Sequence, residues 1–277
     1  MLAPGKKRGT SVTRWLPYRD GNRLTKVVLG DVEVVLANRW PTLLSEEDDQ
    51  LAWVDFAGRR FAIVQTFDSG CGCYLWDASI VLLKYFEHVR ERFDFTGLRA
   101  VELGAGCGLV GIALAWLGAE VHLTDLYDQI DVMEANVDRN FGYRTSRSHA
   151  AGVEDDATPA DDDPLVRPVN IRAGELDWSS SAQDINEEYS PPFDLIVGSD
   201  IIYAEEAVPL LINALDILSS PKTVILIAHE GRSRDIDSKF EELAAQHFDI
   251  EVLDWDEFHP FYRCDEICII KLQKRPL

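Results

Sequence analysis

Apolar and polar residues alternate along KVVLGDVEVVL (26–36), the two-residue rhythm of a strand with one buried face. After the acidic break SEEDDQ, LAWVDFAGRRFAIVQT (51–66) repeats that rhythm on both sides of Ala57-Gly58-Arg59, which predicts two strands joined by a turn. These segments predict one small antiparallel β extension over residues 26–70. At residue 76 the period changes. In WDASIVLLKYFEHVRERF, Ile80, Leu83, Phe86 and Phe93 fall at helical spacing, with Asp77 where a helix dipole favours an acid.

Downstream, short apolar strands alternate with helical stretches. The predicted strands are LRAVEL (98–103), AEVHLTD (119–125), VNIRAGEL (169–176), FDLIVGS (193–199) and TVILIAH (223–229). The predicted helices are GLVGIALAWLG (108–118) and stretches over about 127–140, 205–218 and 233–246. Such alternation implies a mostly parallel sheet with helices on both faces. IEVLDW (250–255) and EICIIKL (266–272) have no helical pattern between them and are expected to form an antiparallel hairpin at the sheet edge. The expected fold is therefore α/β: a Rossmann-like seven-stranded sheet, mostly parallel with an antiparallel C-terminal hairpin, preceded by the β extension. It differs from the six parallel strands of the dinucleotide fold.

Two segments break the pattern. Residues 1–25 are polar, basic and turn-rich, and are expected to be flexible. RTSRSHAAGVEDDATPADDDPLVRP (144–168) is polar and acidic without periodicity, and reads as a disordered surface insertion within the domain formed by residues 71–277. An acidic lure for basic partners is the alternative; a solvated loop is the simpler reading.

Composition narrows the function classes. No run approaches 18 apolar residues, and MLAPGKKRGT has no apolar segment after its basic run, so neither a membrane span nor a signal peptide is expected and the compartment should be cytoplasmic or nuclear. Cys71, Cys73, Cys107, Cys264 and Cys268 are odd in number and lack zinc-site spacing, which suits reduced structural thiols and no metal. The formal charge of −21 argues against nucleic acid as a partner. It favours a cationic protein surface, and it mildly favours a monomer.

The chemistry turns on VELGAGCGLVG (101–111). Gly106-x-Gly108-x-x-Gly111 matches a dinucleotide fingerprint, whereas Glu102-x-Gly104-x-Gly106-x-Gly108 matches the nucleoside loop of a methyl-transfer fold. The dinucleotide match starts two residues late, because Gly104 and Ala105 already occupy the turn after the strand. Asp125 ends the next strand, where a carboxylate accepts ribose hydroxyls; many dinucleotide enzymes share that feature. Glu102 is expected to discriminate, since it would repel a pyrophosphate but not a cofactor bearing a sulfonium and an ammonium. Gly111 is then a helix residue that lets the helix pack closely on the sheet.

A second constellation stands at the carboxyl end of the fourth strand, in GSDIIYAEE (198–206). Ligands of open α/β sheets bind at such ends, so Asp200 and Tyr203 are candidates to receive an amine beside the cofactor. The bland alternative has Asp200 capping the next helix and Tyr203 in the core. Trp76 and Trp178 lie at comparable junctions, where each could flank the cofactor or pack in the core.

CGCYLWDASIVLLKYFE, VELGAGCGLVGIALAWLGAEVHLTDL, GELDW, FDLIVGSDIIY and LLINAL, in that order over residues 71–218, together resemble the seven-strand protein-lysine methyltransferases of the methyltransferase-like twenty-one group. The closing YRCDEICIIKL is similar in character but weaker. The resemblance implies S-adenosylmethionine held by Trp76, Gly104, Ala105, Gly106, Asp125, Trp178 and Ser199, with Glu102 and Gly108 in the same loop. It implies that Asp200-Ile201-Ile202-Tyr203 is the substrate-lysine motif and that the substrate is a chaperone, an AAA ATPase or an elongation factor. On that reading Asp200 orients the amine and Tyr203 shapes its channel. A long N-terminal extension, the acidic insertion, and Ser199 where many relatives have alanine depart from the group. A histidine or small-molecule methyltransferase, an NAD-dependent oxidoreductase and a non-catalytic binding module remain as alternatives.

Overall fold

A computed structural model describes residues 51–66, 73–142 and 169–276, together with the backbone of three short strands before residue 51. The expectations for the chain ahead of Thr25, for the insertion at 144–168 and for Cys71 lie outside the described residues.

The alternating segment over 26–36 is a hairpin rather than one strand: β1 (Thr25–Leu29) pairs antiparallel with β2 (Val32–Leu36), Leu29 opposite Val32. The intervening Gly30-Asp31 is a strong two-residue hairpin signal that the continuous apolar alternation obscured. β3 (Leu43–Leu44), β4 (Leu51–Phe56) and β5 (Arg59–Val64) form a separate three-stranded antiparallel sheet, so the extension is two sheets instead of one. Ala57 and Gly58 turn between β4 and β5 with φ of 49° and 79°.

α1 (Asp77–Val89) buries Ile80, Leu83 and Phe86 as the spacing predicts. Phe93 is not part of that stripe. The helix ends before the charged Arg90-Glu91-Arg92, and Phe93 is 47% exposed.

β6 (Arg99–Leu103), α2 (Leu109–Trp116), β7 (Glu120–Asp125), α3 (Ile130–Phe141) and β8 (Asn170–Glu175) form the first half of the main sheet with its helices. α4 (Ala182–Tyr189), β9 (Leu195–Ser199), α5 (Val208–Leu218), β10 (Val224–Glu230), α6 (Arg234–His247), β11 (Phe248–Val252) and β12 (Ile267–Lys274) complete it. The strand order is β11-β12-β10-β9-β6-β7-β8. β6 to β10 are parallel, and β12 runs antiparallel between β10 and β11, with Ile225 opposite Leu272 and Phe248 opposite Lys274. The C-terminal pair is thus antiparallel, but β12 is internal and β11 forms the edge.

α4 was not expected. Ile185 and Tyr189 are its only buried residues, too sparse an apolar stripe to show a period, although Ser181 signals its start by accepting from the Asp184 amide.

The sheet carries a core on each face. Ala100 packs with α1, α2 and α3, whereas Val101 and Leu103 pack with α4, α5 and α6. On the first face, α3 also grips β5 through two asparagines. Asn136 accepts from the Val64 amide at 2.7 Å and donates to the Val64 carbonyl at 3.0 Å; Asn140 does the same with Ala62 at 2.9 and 2.8 Å. One helical turn advances about 5.4 Å and two strand residues about 6.6 Å, so the i,i+4 pair meets the i,i+2 pair. Arg59 completes the joint by donating to the Asn140 carbonyl and lying 4.2 Å from the Trp116 ring centre.

Candidate active site

The parallel strands end on one side of the sheet, and the candidate residues come from the loops after β6, β7, β8 and β9 and from the start of α1. After β6 the chain turns at Gly104 with φ of 58°, and a Cβ at that position would lie 2.6 Å from Ile201 Cγ2. Gly108 opens α2 with φ of 75°. Only glycine meets both conditions at low cost. Gly111, inside α2, lies where an added Cβ would sit 2.2 Å from Leu123 Cδ2, so it lets α2 lie close against the sheet, as expected.

A cleft open to solvent is bordered by Trp76, Glu102, Gly104, Ala105, Gly106 and Ser199. Gly108 stands behind it as the cap of α2. Asp125 is tied to the loop: its Oδ2 accepts from the Gly106 amide and its Oδ1 from the Leu126 amide, both at 2.8 Å. Burial raises its pKa against the opposing effect of those two amides. Trp178 approaches the other side of the loop, with its ring 3.7 Å from the position of a Cβ on Gly104. Tyr74, Ser79 and Cys107 also line the cleft and were not anticipated. The signal for Tyr74 and Ser79 was their place either side of Trp76.

Glu102 departs from its expected role. It is 1% exposed, and its Oε2 accepts from the Gly111 amide at 2.7 Å, in the first turn of α2. Burial pushes its pKa up to about 8. A buried carboxyl aimed at helix amides, with its titration pushed well above the usual carboxylate range, bears less on a pyrophosphate than expected, so the electrostatic argument against a dinucleotide loses its force; the register of the glycines stands.

Asp200 follows β9 with φ of 59°, a left-handed conformation that Asp tolerates better than most residues. It does not cap α5, whose N-cap is Ala207. Its Oδ1 accepts from the Glu230 amide at 3.2 Å, and its Oδ2 pairs with Arg232 Nη2 at 2.5 Å. The same nitrogen reaches Glu230 Oε2 at 2.8 Å, and the guanidinium lies 5.1 Å from the Trp76 ring centre. Tyr203 is 60% exposed, which removes the core alternative. Arg232 was missed, although HEGR ends the fifth parallel strand as GSD ends the fourth.

The four described cysteines, Cys73, Cys107, Cys264 and Cys268, are buried. No helix among the described residues is long and apolar enough to cross a membrane.

The chain matches the family described as Lysine methyltransferase over residues 56–153 and 165–258. The unmatched 154–164 falls within the acidic insertion. Protein N-lysine methyltransferase METTL21A of Danio rerio is 31% identical over 214 residues, covering 77% of this chain and 85% of that protein. EEF1A lysine methyltransferase 3 of Mus musculus is 32% identical over 207 residues, covering 73% and 75%. Among solved structures, SMU.776 complexed with SAH superposes with a TM-score of 0.51 at 12% identity, covering 83% of this chain and 58% of that one, a likeness of fold.

Proposed function

The chain belongs to the lysine methyltransferase family and is an S-adenosylmethionine-dependent protein-lysine methyltransferase; from that premise we propose which residues hold the cofactor and which receive the lysine. Trp76, Gly104, Ala105, Gly106, Asp125, Trp178 and Ser199 form the cofactor site, and Asp200 and Tyr203 form the acceptor side. The observation that carries this assignment is continuity. Trp76, the glycine loop and Ser199 border one cleft, and Asp200 is the next residue after Ser199.

The residues suit this cofactor. The loop has no side chain at Gly104 and Gly106 to bar a close approach, and each Asp125 oxygen accepts one amide and keeps a lone pair for a ribose hydroxyl. Bound there, S-adenosylmethionine supplies a methyl group already activated by a positive sulfur. The chain's own part is alignment and proton control. A lysine amine, with a pKa near ~10.4 in water, must lose its proton before it can attack. Asp200 orients the amine, and the exposed Tyr203 ring lines its approach. Glu102 positions α2 and the loop instead of touching the reacting groups.

Two relatives are named for EEF1A, which supports an elongation factor as the substrate class; a chaperone or an AAA ATPase is the alternative. A charge of −21 suits a monomer meeting a basic, lysine-bearing surface. An odd cysteine count without disulfide-framework spacing fits a reducing compartment, cytoplasmic or nuclear.

Incubation with isotopically labelled cofactor and cell extract, followed by mass spectrometry of the labelled residue, identifies the acceptor. Asp200→Ala should keep its affinity for S-adenosylhomocysteine and lose at least about 10²-fold in methylation rate. A wild-type rate in that variant would remove Asp200 from the site.

A further inference from the structure

At the acceptor end of the cleft, among the described residues, Arg232 meets two buried carboxylates. The Asp200 and Glu230 side chains are 3% and 4% exposed, while Arg232, which bridges them through Nη2, is 37% exposed. Asp200 is clamped from both sides, by the Glu230 amide on Oδ1 and the Arg232 guanidinium on Oδ2. Burial opposes the Arg232 charge, but Asp200 and Glu230 outweigh it and hold its pKa above the usual guanidinium value. Its plane lies near Trp76, which borders the cofactor cleft, so the cation stands between the two binding regions.

We propose that Arg232 is a positioning residue for methyl transfer: it fixes Asp200 and supplies the positive charge that keeps the acceptor pocket from trapping the substrate lysine as an unreactive ammonium. The inference rests on the reading of Asp200 as the residue that orients the amine. Loss of Arg232 makes the cluster one unit more negative, which favours the protonated form of the amine; loss of Glu230 together with Arg232 leaves its charge as it was. Arg232 meets Asp200 from the loop after β9, Glu230 from the end of β10 and the uncharged Trp76 at the start of α1. Glu102, Cys107 and Tyr74 line the cleft beyond, Asp125 stands behind the loop, and Asp77 opens α1.

The test is the pH dependence of methylation, measured as the initial rate of labelled methyl transfer into cell extract at subsaturating protein from about pH 6 to about pH 10. At an effective dielectric of about 20, a unit charge about 6 Å away moves an amine's titration by roughly two pH units, and partial exposure of Arg232 reduces this to about one. Arg232→Gln should move the rising limb of the profile up by about one pH unit and leave S-adenosylhomocysteine affinity within about twofold. Arg232→Lys should restore the wild-type limb. The double variant Glu230→Gln/Arg232→Gln leaves the charge of the cluster as it was, so it carries the test even where Arg232→Gln fails to fold; its limb should also match the wild type. A rate loss equal at every pH in Arg232→Gln, a failure of Lys to restore the limb, or a shifted limb in the double variant would overturn the proposal. Asp200→Asn separates the two readings. A wild-type rate there sinks the Asp200 assignment and this inference with it, whereas a slow Asp200→Asn beside an unshifted Arg232→Gln sinks only the inference.

Discussion

Replacing Glu102 by glutamine should make the protein more stable at pH 8 and leave it nearly unchanged at pH 5. The side chain is 1% exposed and its best partner is the Gly111 amide. Burial is the largest influence on its titration; the Gly111 amide opposes it, the nearby Asp125 charge adds to it, and the pKa rises from 4.5 to about 8. The folded-state value is thus above the unfolded one. The stability this group allows is fully present below about pH 4.5, falls as pH rises from there through 8, and levels off above. A rise of this size corresponds to a loss of at most about 5 kcal/mol, and relaxation around the buried group brings the expected loss to about 2–4 kcal/mol. Glutamine keeps an oxygen for the Gly111 amide and has no proton to lose. Urea unfolding followed by circular dichroism at several pH values should show the wild type losing about 2–4 kcal/mol relative to Glu102→Gln between about pH 5 and about pH 8. Parallel stability curves for the two proteins would mean that Glu102 is already ionised in the folded state, and the reasoning from its burial would be wrong.

Gly111→Ala sets helix propensity against packing. Alanine gains about 1 kcal/mol in a helix interior, but its Cβ would meet Leu123 at 2.2 Å, Glu102 Oε2 at 2.9 Å and Val121 at 3.0 Å. Overpacking should win by about 1–2 kcal/mol, read as a lower Tm, and an unchanged or higher Tm would show that α2 can lift off the sheet without cost. Asn136→Leu strips partners from the Val64 amide and carbonyl and from the Cys107 carbonyl, so thermal unfolding should show a loss of about 2–4 kcal/mol. Asp125→Ala should weaken S-adenosylhomocysteine at least about tenfold by calorimetry; wild-type affinity would place the ribose elsewhere.

The parallel part of the fold was legible because β9 and β10 are short, nearly continuous apolar runs, the pattern of strands covered on both faces, and β6, though it carries Arg99 and Glu102, is buried from Ala100 to Leu103. The place of β12 was legible but missed: ICII is a continuous apolar run whereas FDIEV alternates, the difference between a strand paired on both sides and one at an edge. α4 escaped because an eight-residue helix with two buried positions shows no period. In the site, the glycines and the Asp-x-x-Tyr block announce themselves by spacing, whereas Arg232 looks like any surface cation until Asp200 and Glu230 are seen around it. Glu102 was found for the wrong reason: its position beside the loop could be read from the strand, but the direction of its carboxyl could not.

Asn136 holds more than a sheet to a helix. The amide nitrogen that donates to Val64 in β5 also donates to the Cys107 carbonyl in the glycine loop, at 2.9 Å. A chain trimmed to begin at residue 71, where the family-like motifs start, would strand that side chain at the back of the cofactor loop with two of its three hydrogen bonds gone. A unit expected to hold its nucleoside should therefore keep β5, which braces the cofactor loop through this one side chain of α3.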